Sequence, residues 1–157
     1  MTGTPIRRFE DIAVRLDGII DSPDAALAAD APGLADELLA LGETILVTWL
    51  AAHGATPTKL TVEGFRLLAL HRQGARGDAS FNACRETCRE LVYYRNLIRS
   101  DPAHADTARR LRLGAMVARH LVLFIGGKLE IAELGEFCCS SRPLRQHEAN
   151  TRPAEIA

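Results

Sequence analysis

Strand-like patterning is missing from this 157-residue chain. No alternation of Val, Ile and Thr persists anywhere, which argues against a sheet of any size. Aromatic residues are scarce, at 5%, and none interleave with the arginines as a single-strand nucleic-acid binder requires. Long apolar runs are missing too. The longest lies around Leu121 to Ile125, behind Arg119 and His120, far short of the ~20 residues a membrane span needs. The opening segment, MTGTPIRRFEDIAVRLDG, carries two arginines and then acids before any apolar run, so it does not read as the apolar region of a signal peptide. A soluble, cytoplasmic protein with no membrane partner is the expectation, and four cysteines in that compartment are read as thiols.

The usual catalytic signatures are absent as well. There is no Gly-rich phosphate loop, no G-x-S-x-G, no H-E-x-x-H and no C-x-x-C,. No glutamate has a histidine three residues on, which removes the ferritin-like dinuclear iron bundle. No internal repeat or low-complexity segment appears.

What the chain does contain is a three-and-four spacing of apolar residues, the mark of amphipathic helices. Thr4-Pro5 opens a first helix striped by Ile6, Phe9, Ala13, Leu16 and Ile20, stopping at Asp21-Ser22-Pro23,. A short alanine-rich turn or helix reaches Asp30, and Ala31-Pro32-Gly33 is expected to break it,. From Leu34 a stronger helix runs through Leu38, Leu41, Ile45, Thr48 and Ala52 to a glycine stop at Gly54,. Leu60 and Phe65 sit at the spacing of a hydrophobic staple, which predicts a helix from Val62 to Gly74 and a loop over residues 73–78,. Phe81, Cys84, Cys88, Leu91, Arg95 and Ile98 predict another helix over 79–99.

Asp101-Pro102 then predicts the start of a helix to residue 125, striped by Ala108, Leu111, Ala115, Ala118, Val122 and Ile125, with Leu113, Val117, Leu121 and Phe124 alongside. Some 24 residues make it roughly 36 Å long, and its wide apolar surface marks it as the centre of the fold. Gly126-Gly127 is expected to end or hinge it, with a last helix from Lys128 to Cys138. The expected architecture is therefore an all-α, single-domain bundle of about five main helices around residues 102–125. Residues 1–139 form the domain, and residues 140–157 form a polar, loosely ordered tail.

Charge is segregated. Residues 1–50 hold nine acids and three arginines, residues 59–128 hold thirteen basic side chains and six acids, and residues 129–157 hold five acids and three arginines. Arginine outnumbers lysine 17 to 2. The favoured explanation is that acidic N-terminal helices pack beside basic central ones. A nucleic-acid or anion surface on the arginine-rich central helices is the less favoured one.

The most distinctive constellation is Cys84 and Cys88 with the adjacent Cys138-Cys139. An i, i+4 pair projects both thiols from one helix face toward a single ion, Zn²⁺ or Cu⁺, while the same spacing is poor for a disulfide. Cys84 and Cys88 also lie on the apolar stripe, where a small thiol packs as a core residue. Cys138 and Cys139 point about 100° apart if both are helical. Arg95 interrupts the same stripe, and Glu43, on a secondary seam of its own helix, is its expected partner in an ion pair that fixes register or a polar pocket. His120, alone in the run ARHLVLF, reads as a core histidine, and His53 and His71 as residues of helix C-termini,.

With no complete catalytic constellation, the sequence leans away from an enzyme. It favours a non-catalytic accessory or interaction protein acting through its helical surface, with a protein partner or a homodimer and no cofactor. The alternative is a thiolate-based metal-binding or redox protein using Cys84 and Cys88 with Cys138 and Cys139, in which Arg95 favours the thiolate form.

Overall fold

The computed structural model describes residues 5–132. The apolar stripes fold into α1 (Pro5–Asp21), α2 (Asp24–Ala29), α3 (Ala31–Ala52), α4 (Arg66–Gly77), a 3₁₀ segment (Ala79–Cys84), α5 (Arg85–Ser100) and α6 (Thr107–Ile131). The protein is an all-α, single-domain bundle. The expected continuation of the last helix to Cys138, the domain limit at 139, the tail over 140–157, and Cys138 and Cys139 themselves lie outside the described residues.

At its centre, α6 touches α1, α2, α3 and α5. Its main stripe, from Ala108 through Leu111, Ala115, Ala118 and Val122 to Ile125, is buried throughout. Small side chains let neighbours approach closely: a Cβ on Gly114 would stand 3.0 Å from Leu38 of α3 and 3.4 Å from Tyr94 of α5. The four residues Leu16, Leu38, Leu111 and Leu121 are completely buried, each worth about 1.5–3 kcal/mol of transfer free energy.

Boundaries depart from the sequence expectations where local hydrogen bonds compete with the helical pattern. Pro32 does not break the chain. It lies in the first turn of α3, where no intrahelical donor is needed. At the other end of α3 the glycine stop forms as expected, with Gly54 at φ 77° and its N–H on Ala51 O while Ala55 N–H reaches Leu50 O, the doubly bonded Schellman termination.

The staple at Leu60 and Phe65 does not form. Leu60 is exposed, and Val62 and Phe65 exchange backbone hydrogen bonds of 3.0 and 2.9 Å across Glu63 and Gly64, both left-handed at φ 55° and 87°. That tight turn holds the chain out of the helix until Arg66, and α4 then runs three residues past Gly74 through the expected loop,. Residues 101–106 are successive turns, because the His104 ring accepts the Asp106 N–H at 2.9 Å and the His104 and Thr107 amides bond back to Asp101 and His104. The central helix therefore starts at Thr107, five residues later than Asp101-Pro102 predicts. It continues unbroken through Gly126-Gly127.

The charge segregation is an internal match. Arg112 and Arg119 of α6 pair with Asp24 and Asp17 at 2.6 Å, and Arg95 and Arg99 of α5 share Asp36 of α3 at 3.2 and 2.9 Å. Arg112 does more than pair, since it also donates to the carbonyls of Ile20 and Ser22 at 3.1 and 2.7 Å, capping the C-terminal end of α1. Replacing Arg112 by Met should lower unfolding free energy by about 1–2 kcal/mol, because α1's terminal carbonyls lose their donor. Arg119→Met, which breaks an exposed pair, should cost under about 1 kcal/mol. Urea titration of the two variants gives the comparison, and equal losses would contradict the capping role.

Candidate functional site

The 3₁₀ segment between α4 and α5 brings three groups of chemical interest together. Phe81 is fully buried and accounts for the arrangement. Its ring lies against Gly74 of α4, where a Cβ would come within 2.4 Å of the ring, and it meets Trp49 of α3 and His71 of α4 at centroid distances of 5.3 and 5.9 Å. Its carbonyl oxygen accepts a 2.7 Å bond from His71 Nε2 and a 3.2 Å bond from the Cys84 thiol. A carbonyl can only accept, so this bond places a proton on His71 Nε2.

A second anchor holds the segment's start. Asp78 accepts from the Ser80 amide and hydroxyl at 3.0 and 2.7 Å and from Lys128 of α6 at 2.7 Å, while Lys128 also bonds the Ser80 hydroxyl. The Lys128 hydrogen bond, with that of Ser80, lowers the Asp78 carboxyl to about 2. The same ammonium lies 5.2–5.9 Å from the ring centroids of Trp49, Phe81 and Phe124, a cation–π contact worth about 0.5–2 kcal/mol depending on desolvation.

Cys84 and Cys88 are both free thiols, exposed by only 2% and 0%. Cys84 is the residue before the first turn of α5 and has a non-helical ψ of 13°, and Cys88 follows one turn in. Hydrogen bonding between the two sulfurs splits them. The Cys88 thiol donates to Cys84, which is lowered to about 5 against the opposing effect of burial, with His71 favouring the thiolate further. Cys88 is driven well above the ordinary thiol range by the same contact and by its burial. Burial alone would lower His71, but its hydrogen bonds to Cys84 and to the Phe81 carbonyl raise it. Cys84 is thus the more acidic of the two buried thiols, with an imidazole on one side and Cys88 on the other, and its ionisation gives up the S–H bond to the Phe81 carbonyl,.

His71 also lines a cavity of about 260 Å³ with Arg72, Asn82, Arg85 and Arg89, while Val62, Leu68 and Ala75 supply its apolar wall. Compared with known proteins, the chain matches no family model, no curated protein and no solved structure.

Of the residues singled out in the sequence, Cys84 and Cys88 come together. Cys138 and Cys139 lie outside the described residues, and among those described no group of three or more His, Cys, Asp or Glu side chains is placed to hold a metal ion. Arg95 does not pair with Glu43. It reaches Asp36 and Asn96 instead, with its side chain 28% exposed and its guanidinium 5.7 Å from the Phe65 ring centroid, so it needs no buried counter-charge. Glu43 is half-buried, which raises its carboxyl against the pull of Arg66. His120 is exposed, whereas His71, read from the sequence as a helix-end residue, is buried in α4. Its signal was its place on the stripe Leu67, Leu70, His71 and Gly74, visible only once the helix is known to extend to Gly77.

Two substitutions test the arrangement. Gly74→Ala forces a methyl into the Phe81 ring and should destabilise the fold by about 1–3 kcal/mol, while raising the pH at which Cys84 becomes alkylable from its value near 5. His71→Gln should also raise that midpoint, with a smaller loss of stability. Iodoacetamide modification rates followed against pH give the midpoints, and unchanged values in both variants would show that Phe81 and His71 do not govern the thiol.

Proposed function

We propose that this protein is a thiol-based redox protein whose Cys84 reacts with small hydroperoxides and whose Cys88 resolves the product. The observation that carries this reading is the placement of two free, buried thiols one turn apart at the start of α5, with the His71 ring on the same carbonyl that the Cys84 thiol bonds, surroundings that favour ionisation of Cys84 over Cys88. A structural dithiol has no need of such polarisation, and a thiolate metal site would need both sulfurs ionised.

The chemistry follows from the placement. The Cys84 thiolate attacks one oxygen of a hydroperoxide. An S–O bond forms, the O–O bond breaks, and the departing oxygen leaves as hydroxide or alkoxide, taking up the proton released when Cys84 ionised. Cys84 is then a sulfenic acid. The Cys88 thiol attacks its sulfur, the S–O bond breaks, and the Cys88 proton leaves with the hydroxyl as water, giving a Cys84–Cys88 disulfide. An external thiol returns the pair to its reduced form.

Near-complete burial of both sulfurs favours an oxidant of a few atoms over a protein disulfide, which would have to enter the core. An i, i+4 disulfide is strained inside a helix, but Cys84 precedes α5, so closure disturbs only the first turn, whose donors are the least committed. A reduced dithiol of this kind suits a reducing compartment such as the cytoplasm.

Hydrogen peroxide added to the reduced protein should remove two hydrogens from its mass and link Cys84 to Cys88 in a peptide map. Cys88→Ser should stop the reaction at a dimedone-trappable sulfenic acid on Cys84, and Cys84→Ser should abolish it. Full recovery of both thiols after peroxide treatment and unfolding would refute the proposal.

The outer face of α6 supports a second reading, as an accessory protein that self-associates. Met116, Leu123 and Ile131 are 54–72% exposed and lie toward one side of the helix that otherwise organises the core. Such a face would complete its burial in a homodimer. Sedimentation of the wild type should then give a dimer that Leu123→Glu converts to monomer with helicity intact, and a concentration-independent wild-type monomer would exclude it.

A further inference from the structure

We infer that the cavity beside His71 is a binding site for a small oxyanion, of the phosphate or carboxylate class, held by Arg72 and Arg85. The argument is one of charge and space, and it is independent of any redox role for Cys84.

Elsewhere in the described residues, Arg95 and Arg99 are engaged by Asp36, Arg112 by Asp24, Arg119 by Asp17 and Lys128 by Asp78, while Arg109 and Arg110 of α6 have no ion pair but do not line this cavity. The cavity differs in gathering its cations at one concavity. Three arginines and a histidine line it, and no acid does. Arg89 is taken by Glu63, which it grips with both nitrogens at 2.9 and 3.3 Å. Arg72 and Arg85 have no ion pair within 4 Å, and Glu63 acts on them without direct contact. Two guanidinium groups at one concavity therefore lack a direct counter-charge.

A planar guanidinium offers paired N–H donors that match a carboxylate or phosphate edge. Arg85 also opens α5, whose N-terminal end adds partial positive charge in the same direction. Asn82 contributes a side-chain amide to the wall. About 260 Å³ is well beyond the space a single water needs and suits a ligand of a few heavy atoms. It is too small for a nucleotide chain, and the aromatic platforms that single strands require are missing from the lining,.

The test is isothermal titration of the reduced, full-length protein with inorganic phosphate and, separately, acetate, at ionic strength held constant with sodium chloride. One-to-one saturable binding of at least one anion is expected by about 10 mM, where even a site of about 1 mM affinity is largely filled. Phosphate alone assigns a phosphate-type ligand, acetate alone a carboxylate, and either outcome sustains the proposal.

Arg72→Ala and Arg85→Ala should each weaken binding at least tenfold. Both side chains are exposed, so circular dichroism should remain that of the wild type. Arg109→Ala, an exposed arginine at the start of α6, should change nothing. Failure of both anions to saturate, or equal weakening in Arg109→Ala, would overturn the assignment by reducing the effect to net charge. Cys84→Ser should bind as the wild type does, so the outcome here is separate from that of the peroxide experiment.

Discussion

The Phe81 side chain is completely buried and its carbonyl is a shared acceptor, and both facts depend on one missing methyl group. Gly74 has no side chain, so the Phe81 ring can lie directly on α4. From that seat the ring packs against Trp49 and His71, and its carbonyl faces His71 Nε2 and the Cys84 sulfur together. Move the ring by the width of a methyl and the carbonyl moves with it. Lys128 secures the same segment from the opposite side of the sequence, bonded to Asp78 and lying over the Phe81 ring. Local chain geometry, aromatic packing and thiol ionisation are thus one coupled arrangement, in which a glycine in α4 sets the electrostatics at the start of α5.

The fold was legible in the sequence because the apolar residues recur at the helical period and the main stripe of the central helix is the one that is buried. The main stripe of α6 is buried as spaced, whereas α1 buries Phe9, Ile12, Leu16 and Ile19 and leaves Ile6, Ala13 and Ile20 of its expected stripe half-buried, and Gly54 ends α3 where a left-handed residue was required. Boundaries were less legible, since they depend on hydrogen bonds that periodicity does not encode. Glu63 in a left-handed conformation is not foreseeable from its side chain, and the His104 ring taking the Asp106 amide replaces a helical bond with a turn. The site was half legible for the same reason. Cys84 and Cys88 announce themselves by spacing, but His71 comes from another helix, and its inward aim follows from where α4 begins. Arg95 misled because an arginine on a stripe is long enough to leave the core and find Asp36 near the surface,.

The strong preference for arginine over lysine acquires a structural meaning once the pairs are traced. Arg112 satisfies two carbonyls and a carboxylate at once, and Arg89 grips Glu63 with two nitrogens. A lysine, with a single compact charge, could not span either set. Exposed pairs of this kind each contribute little to stability. Their larger effect is on register, since acids of α1 to α3 and bases of α5 and α6 match only in one alignment. The two arginines at the cavity stand out by their shared placement, at one concavity whose lining holds no acid.

Burial and ionisation pull against each other at Cys84, and the balance between them separates chemistry from packing. Removing a thiolate from water is unfavourable, and at 2% exposure the sulfur should by burial alone be pushed up into the neutral form. It is lowered instead, because the Cys88 thiol and the His71 ring both supply hydrogen bonds to the anion. Had selection required only a small apolar body between Phe81 and Leu91, alanine or valine would fill the stripe with no polar group to satisfy. Two thiols and a histidine within one buried turn demand mutual satisfaction, and they obtain it only by dividing the proton unevenly. A division that favours ionisation of Cys84 over Cys88 is the starting condition that the proposed two-step thiol oxidation needs.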